Sequence, residues 1–132
     1  MPVLDTEVLF ALDPTDKKHG RALTLLASVP DLAVPDTSLL EFQMVLRTMG
    51  RRAAEIRQAV LNVGTILEGH GVSEARTMGV LLIASQCELE SKYGLTFFDS
   101  LIAASALSVD LTIVSDDPAF DAVPGLKRIP LR

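Results

Sequence analysis

Five acidic residues stand where acids are costly. Asp5 follows the apolar pair Val3-Leu4, Glu41 follows Leu39-Leu40, Asp99 heads the run Ser100-Leu101-Ile102-Ala103-Ala104, and Asp116-Asp117 follows Leu111-Thr112-Ile113-Val114. Carboxylates among apolar residues lose hydration that something else must replace. Three or four of them in one cleft repel each other unless a hard cation holds them, and oxygen-only ligation points to Mg²⁺ or Mn²⁺ rather than zinc. A metal so held could activate water for in-line attack on a phosphodiester and steady the leaving oxygen. Thr6 follows the first acid and Ser115 precedes the last pair. Either hydroxyl could orient a metal-bound water, and capping or turn hydrogen bonding is an equally ordinary use.

The surrounding elements bring these acids to one edge. Val3-Leu4, Leu32-Ala33-Val34, Leu111 to Val114 and Lys127-Arg128-Ile129 read as short strands. Helical spacing follows Asp5 through Val8, Leu9, Phe10 and Leu12, and recurs over Lys17 to Val29, from Leu39 to Gly50, over Arg51 to Glu68, and over Phe97 to Ser108. Ser73 to Tyr93 reads as one helix opening on a polar turn, with Met78 to Ala84 apolar on nearly every side and therefore buried on more than one face. Strands alternating with helices predict a three-layer α/β/α fold around a small, mainly parallel sheet, as one domain over residues 1–132. Ligands in such a sheet gather beyond the carboxyl ends of the strands, where all these acids fall.

Each acid also has a purely local use. Ser38-x-x-Glu41 and Thr96-x-x-Asp99 match the capping box, Asp5 suits an N-cap, and Asp117 before Pro118 suits a turn. Capping does not require its acids to share one edge of one sheet, so the joint pattern favours a site, and one helix start can serve both uses.

A net charge of -5 speaks against simple electrostatic capture of nucleic acid, although bound divalent ions reverse the local field. Arg47, Arg51, Arg52 and Arg57 form the densest positive stretch. Arg47 and Arg51 are the candidates for RNA phosphate, against the commoner reading of a solvated helix face. A mean hydropathy of +0.35 suggests a further buried face, most simply a contact within a homo-oligomer. Met78 to Ala84 is too short to span a bilayer, and Met1 to Asp5 carries no signal peptide, so a cytoplasmic protein is expected. Cys87 reads as a buried apolar filler, Phe97-Phe98 as core, and His19 and His70 as surface residues.

The order and setting of the acids resemble the PIN-domain ribonucleases of the type found as VapC toxins. The resemblance rests on Val3-Leu4-Asp5, Leu39-Leu40-Glu41-Phe42 after Pro35-Asp36, Phe98-Asp99-Ser100-Leu101-Ile102-Ala103-Ala104, and Val114-Ser115-Asp116-Asp117-Pro118-Ala119-Phe120, and it covers essentially the whole chain. It implies a metal-dependent endoribonuclease that leaves 3′-hydroxyl and 5′-phosphate ends, with Asp5, Glu41, Asp99 and Asp117 as Mg²⁺ or Mn²⁺ ligands. It also implies a homodimer and an antitoxin partner. In the family's last motif a Ser or Thr stands two residues before the acid and an aromatic three after, so Ser115 and Phe120 select Asp117 and leave Asp116 as a neighbour that assists and a further candidate ligand. A groove beside the acid cleft is the expected seat for an inhibitory peptide carrying an Arg. Two other readings are an RNA-processing nuclease without an antitoxin and a non-catalytic interaction domain of the same fold. A phosphohydrolase using an aspartyl phosphate fits poorly, since Glu7 stands where Asp-x-Asp would place its second acid.

Overall fold

The computed structural model describes residues 1–131. The elements in chain order are β1 (Val3–Leu4), α1 (Thr6–Phe10), α2 (His19–Ser28), β2 (Ala33–Pro35), α3 (Asp36–Thr48), α4 (Ala53–Gly69), β3 (Ser73–Ala75), α5 (Val80–Tyr93), α6 (Phe97–Val109), β4 (Thr112–Val114), a 3-10 helix (Pro118–Ala122) and β5 (Lys127–Ile129). The five strands pair in parallel in the order β3-β2-β1-β4-β5. The chain therefore winds outward in one direction from β1 and then in the other from β4. The crevice at this reversal, beyond the ends of β1 and β4, is where open parallel sheets bind ligands.

The side-chain period of two divides the core between the two faces. Val3 pairs with Ile113 and Leu4 with Val114 in the register of β1 against β4. Leu4 and Val114 pack with α1 to α4 through Leu9, Leu26, Phe42, Ile56 and Val63. Val3 and Ile113 face the opposite way, onto Leu89 of α5, Leu101 and Ile102 of α6, and Phe120. The expected three-layer α/β/α architecture is thus present.

Several local expectations are corrected. Ser73–Ala75 is not the polar first turn of a long helix but an edge strand, paired with Ala33–Pro35. Its sequence, Ser-Glu-Ala, lacks the apolar pattern of a strand because only one side is paired and its residues are mostly exposed. Helix α5 begins only at Val80, and its first turn is buried on one side alone: Leu82 joins the core, while Val80 is 85% and Leu81 86% exposed. Cys87, on the same helix, is exposed rather than a core filler, and Phe97 is exposed at the head of α6 with its ring edge-on to Phe98. Strand β4 starts at Thr112, since Leu111 takes a positive φ of 56°. His70 is exposed as expected, whereas His19 is partly buried, with Nδ1 2.9 Å from the Ala11 carbonyl.

Candidate active site

Asp5 ends β1 and caps α1. Its backbone N–H continues the sheet by donating to the Val114 carbonyl at 3.0 Å, and its Oδ1 accepts from the Thr6 N–H at 2.7 Å. Its Oδ2 accepts from the Ser115 hydroxyl at 2.6 Å. The same hydroxyl oxygen accepts the Asp117 N–H at 3.0 Å, so one side chain ties the first acid to the backbone of the last. Burial pushes the Asp5 carboxyl up to about 7 against these bonds, with the Glu7 and Glu41 charges adding to the rise.

Glu41 and Asp99 reach the crevice from two helices. Helix α3 starts at Asp36, directly after β2, so Glu41 lies in its second turn and not its first. The expected capping box at Ser38 does not form. Ser38 is buried inside the helix, and its hydroxyl donates to the Leu4 carbonyl at 2.7 Å, fastening α3 to the end of β1. Thr96 does cap α6, its hydroxyl accepting from the Asp99 N–H at 3.2 Å. The Glu41 carboxyl is raised by burial and then by the charges of Asp99 and Asp117. The Asp99 carboxyl is raised by burial and by Asp117. Glu41 therefore lies within electrostatic reach of Asp5, Asp99 and Asp117, and Asp99 within reach of Asp117, while Asp117 also performs its local task by accepting from the Ala119 N–H at 2.9 Å.

Asp116 points elsewhere. Its Oδ2 pairs with Lys18 Nζ at 2.8 Å and its Oδ1 accepts from the Leu131 N–H at 2.8 Å. Glu7, which sequence reasoning left without a role in the site, accepts from the Asp116 N–H and lies 3.6 Å from Lys18 Nζ. An acid two residues after Asp5, in the first turn of a helix, was a visible signal for a buried network, but its cation lies beyond the Asp13 to Asp16 turn and had no sequence pattern to mark it.

The donor chemistry fits a hard divalent cation. Every candidate ligand offers oxygen. The Thr6 hydroxyl, buried beside Asp5, makes no hydrogen bond of full geometry among the described residues, and the acceptor it favours is the Glu41 carboxyl, which it helps to hold down. A buried hydroxyl so weakly answered has capacity left for a ligand or water. Among the described residues, no three His, Cys, Asp or Glu side chains stand close enough to share one ion in this conformation. The acids are grouped but not drawn together.

Arg47 and Arg51 do not approach this group in any recorded contact. Arg47 bonds Gln43 along the exposed side of α3, at 2.9 and 3.1 Å. Arg51 lies with Glu55 on the rim of a groove of about 720 Å³ between α1 and α4, whose floor includes Leu9, Phe10, Phe42 and Leu46.

A PIN domain model matches residues 3–126. The chain belongs to the PIN-domain family. Solved structures of similar fold include VapC20 of Mycobacterium tuberculosis, a sarcin-ricin loop cleaving toxin, at 21% identity over 92% of this chain and 94% of that one, with a TM-score of 0.71. VapBC2 from Rickettsia felis, bound to a promoter DNA fragment, is 20% identical over 97% of this chain and 96% of that one, with a TM-score of 0.69. A toxin-antitoxin complex from Klebsiella pneumoniae is 16% identical, covers 100% of this chain and 98% of that one, and has a TM-score of 0.69. None of the curated proteins matches this chain. At these identities the structural likeness speaks for the PIN fold. No helix among the described residues is long and apolar enough to cross a membrane.

Proposed function

We propose that this PIN domain is a metal-dependent endoribonuclease and the toxin of a toxin-antitoxin pair. The observation that carries this reading is the placement of four acids at the switch point of the sheet, Ser115 tying Asp5 to the Asp117 backbone and Glu41 within electrostatic reach of Asp5, Asp99 and Asp117. The similarity in fold to VapC20, whose own substrate is the sarcin-ricin loop, supports RNA as the substrate. Asp5, Glu41, Asp99 and Asp117 would hold Mg²⁺ or Mn²⁺, which when bound supplies an activated water and neutralises charge at the phosphate. Ser115 holds the Asp5 carboxylate and the Asp117 backbone in one register, and Thr6 offers its hydroxyl to a water or to Glu41. Asp116 belongs to the supporting ion pair rather than to the ligand set.

Two partners follow from the surface. The groove between α1 and α4 adjoins the helix that Asp5 caps, and its apolar floor with Arg51 and Glu55 at the rim suits an amphipathic antitoxin segment. Val80, Leu81 and Ile83 on α5, with Leu40 and Met44 on α3, leave apolar surface open, and a second copy of the chain would cover it as a homodimer. The site lies in a chain read as cytoplasmic.

The test combines two measurements. Mn²⁺ raises the unfolding midpoint of the parent, since a ligand of the folded state alone must do so, and leaves that of Asp5→Asn unmoved. A structured RNA is cut by the parent with Mg²⁺ or Mn²⁺ and not by the variant. A parent indifferent to both ions, with or without RNA cleavage, refutes the metal-dependent reading and favours an interaction domain.

A further inference from the structure

Two cations stand behind the acid group: Arg128 donates to the Ser115 carbonyl at 3.2 Å, and Lys18 arrives from a different loop. Lys18 precedes α2, at the end of the α1–α2 connection, and its ammonium pairs with Asp116 at 2.8 Å and with Glu7 at 3.6 Å. Glu7 Oε1 accepts from the Asp116 N–H and lies 3.4 Å from the Ser115 hydroxyl. A hydroxyl has one proton to give. Ser115 gives it to Asp5 at 2.6 Å, and Glu7 at 3.4 Å is the competing acceptor. Asp116 is nearly enclosed, its side chain 9% exposed, and a buried carboxylate without a partner is costly.

We propose that Lys18 is a positioning residue: by pairing with both Glu7 and Asp116 it keeps Glu7 from capturing the Ser115 proton and so holds Asp5 and Asp117 ready for a divalent cation. The proposal rests on the metal-dependent reading above. Without the ammonium, Glu7 loses its counter-charge beside the Ser115 hydroxyl, while Asp116 keeps the Leu131 N–H. Rotation of the Ser115 hydroxyl toward Glu7 then relieves Glu7 at the expense of Asp5, and the Ser115 to Asp117 segment loses its hold on the end of β1. Lys18 touches neither ion nor RNA, so its effect travels through Ser115.

The sign of the effect separates positioning from simple electrostatics. Lys18 is a positive charge near a cation site, so charge alone predicts that Lys18→Met binds Mn²⁺ more tightly. Positioning predicts weaker binding, by about 10-fold or more, as found when groups supporting metal ligands are removed. Mn²⁺ affinity is measured by titration calorimetry on the parent, Lys18→Met and Lys18→Arg, each well below its unfolding temperature. The expected result is weaker binding in Lys18→Met, recovery in Lys18→Arg, and faster amide exchange at Asp117 with no change at Ile113 in the core. Equal or tighter binding in Lys18→Met, or a loss of protection that extends equally to Ile113, overturns the positioning role while the metal site stands. A parent that binds no Mn²⁺ overturns both the site and the role.

Discussion

The two halves of the acid crevice are built differently. On the β1–β4 side, Asp5 accepts bonds of 2.7 and 2.6 Å, Asp117 accepts one of 2.9 Å, and Ser115 stitches the two together. On the helix side, Glu41 and Asp99 have only a threonine hydroxyl each beside them, Thr6 and Thr96, and both carboxyls are raised by burial and by neighbouring acids. Backbone and Ser115 hydrogen bonds fix the first half before anything binds, whereas in the second half the threonine hydroxyls only partly offset burial and the neighbouring acids. A cation would therefore meet a rigid pair and recruit a loose one, which agrees with acids that are grouped but not yet within one ion's reach.

The largest expected effect is on the rigid half. Asp5→Asn loses RNA cleavage by more than about 100-fold, beyond the 10–100-fold range of changes to supporting groups, in a fluorogenic RNA assay. The same substitution should not weaken the metal-free protein. The folded state holds the Asp5 proton up to about pH 7 against 3.8 ordinarily, so it binds more protons than the unfolded chain between those values. The contribution of Asp5 to parent stability therefore falls as pH rises from about 4 to about 7. The variant escapes this loss and gains up to roughly 4 kcal/mol relative to the parent above pH 7, an upper bound, in denaturant titrations at pH 5 and pH 8. A variant less stable at pH 8 would show that capping α1 is the main task of Asp5.

Ser115→Ala breaks the stitch itself. Removing one partner of a buried hydrogen-bonded pair costs about 1–3 kcal/mol, and chemical denaturation should find that loss together with a reduced Mn²⁺ shift in the unfolding midpoint. A comparable change on the loose half, Thr96→Ala, removes only an N-cap and should cost about 1 kcal/mol. If the two substitutions cost the same and lower the Mn²⁺ response equally, the contrast between the halves disappears.

Thr6→Val is the finest test. It deletes a buried hydroxyl that makes no hydrogen bond of full geometry and only helps to hold the Glu41 carboxyl down, so the metal-free protein should change by no more than about 1 kcal/mol. The Mn²⁺ response should nevertheless shrink, since the hydroxyl has capacity left to serve a bound water or Glu41. A full Mn²⁺ response in Thr6→Val would leave the buried hydroxyl without a role in the site.

Much of this organisation was legible along the chain. Strand β1, the turn at Asp117 and the cap at Thr96 were each marked by residues a few positions apart, because their physics is local. Ser38 misled for the same reason: its spacing to Glu41 fits a capping box, but burial against the Leu4 carbonyl offered a better partner. Helix α5 misled in the opposite direction. Its apolar first turn predicted burial, yet within one chain nothing covers Val80 and Leu81, and hydropathy cannot distinguish a core from a face reserved for a partner.

The sequence by itself determined four of the five strands of the parallel sheet and which acids follow β1 and β4, since apolar runs, turn residues and a period of two or 3.6 are properties of neighbouring residues. Only the tertiary structure decided what each acid of the last pair does. Asp116 and Asp117 are adjacent and chemically identical, and they part because β4 delivers one toward Lys18 and the C-terminal segment and the other into electrostatic contact with Glu41 and Asp99. Contacts between residues 98 and 110 positions apart, such as Lys18 with Asp116 and Asp5 with Ser115, depend on the register of β1 against β4, and no local pattern encodes them.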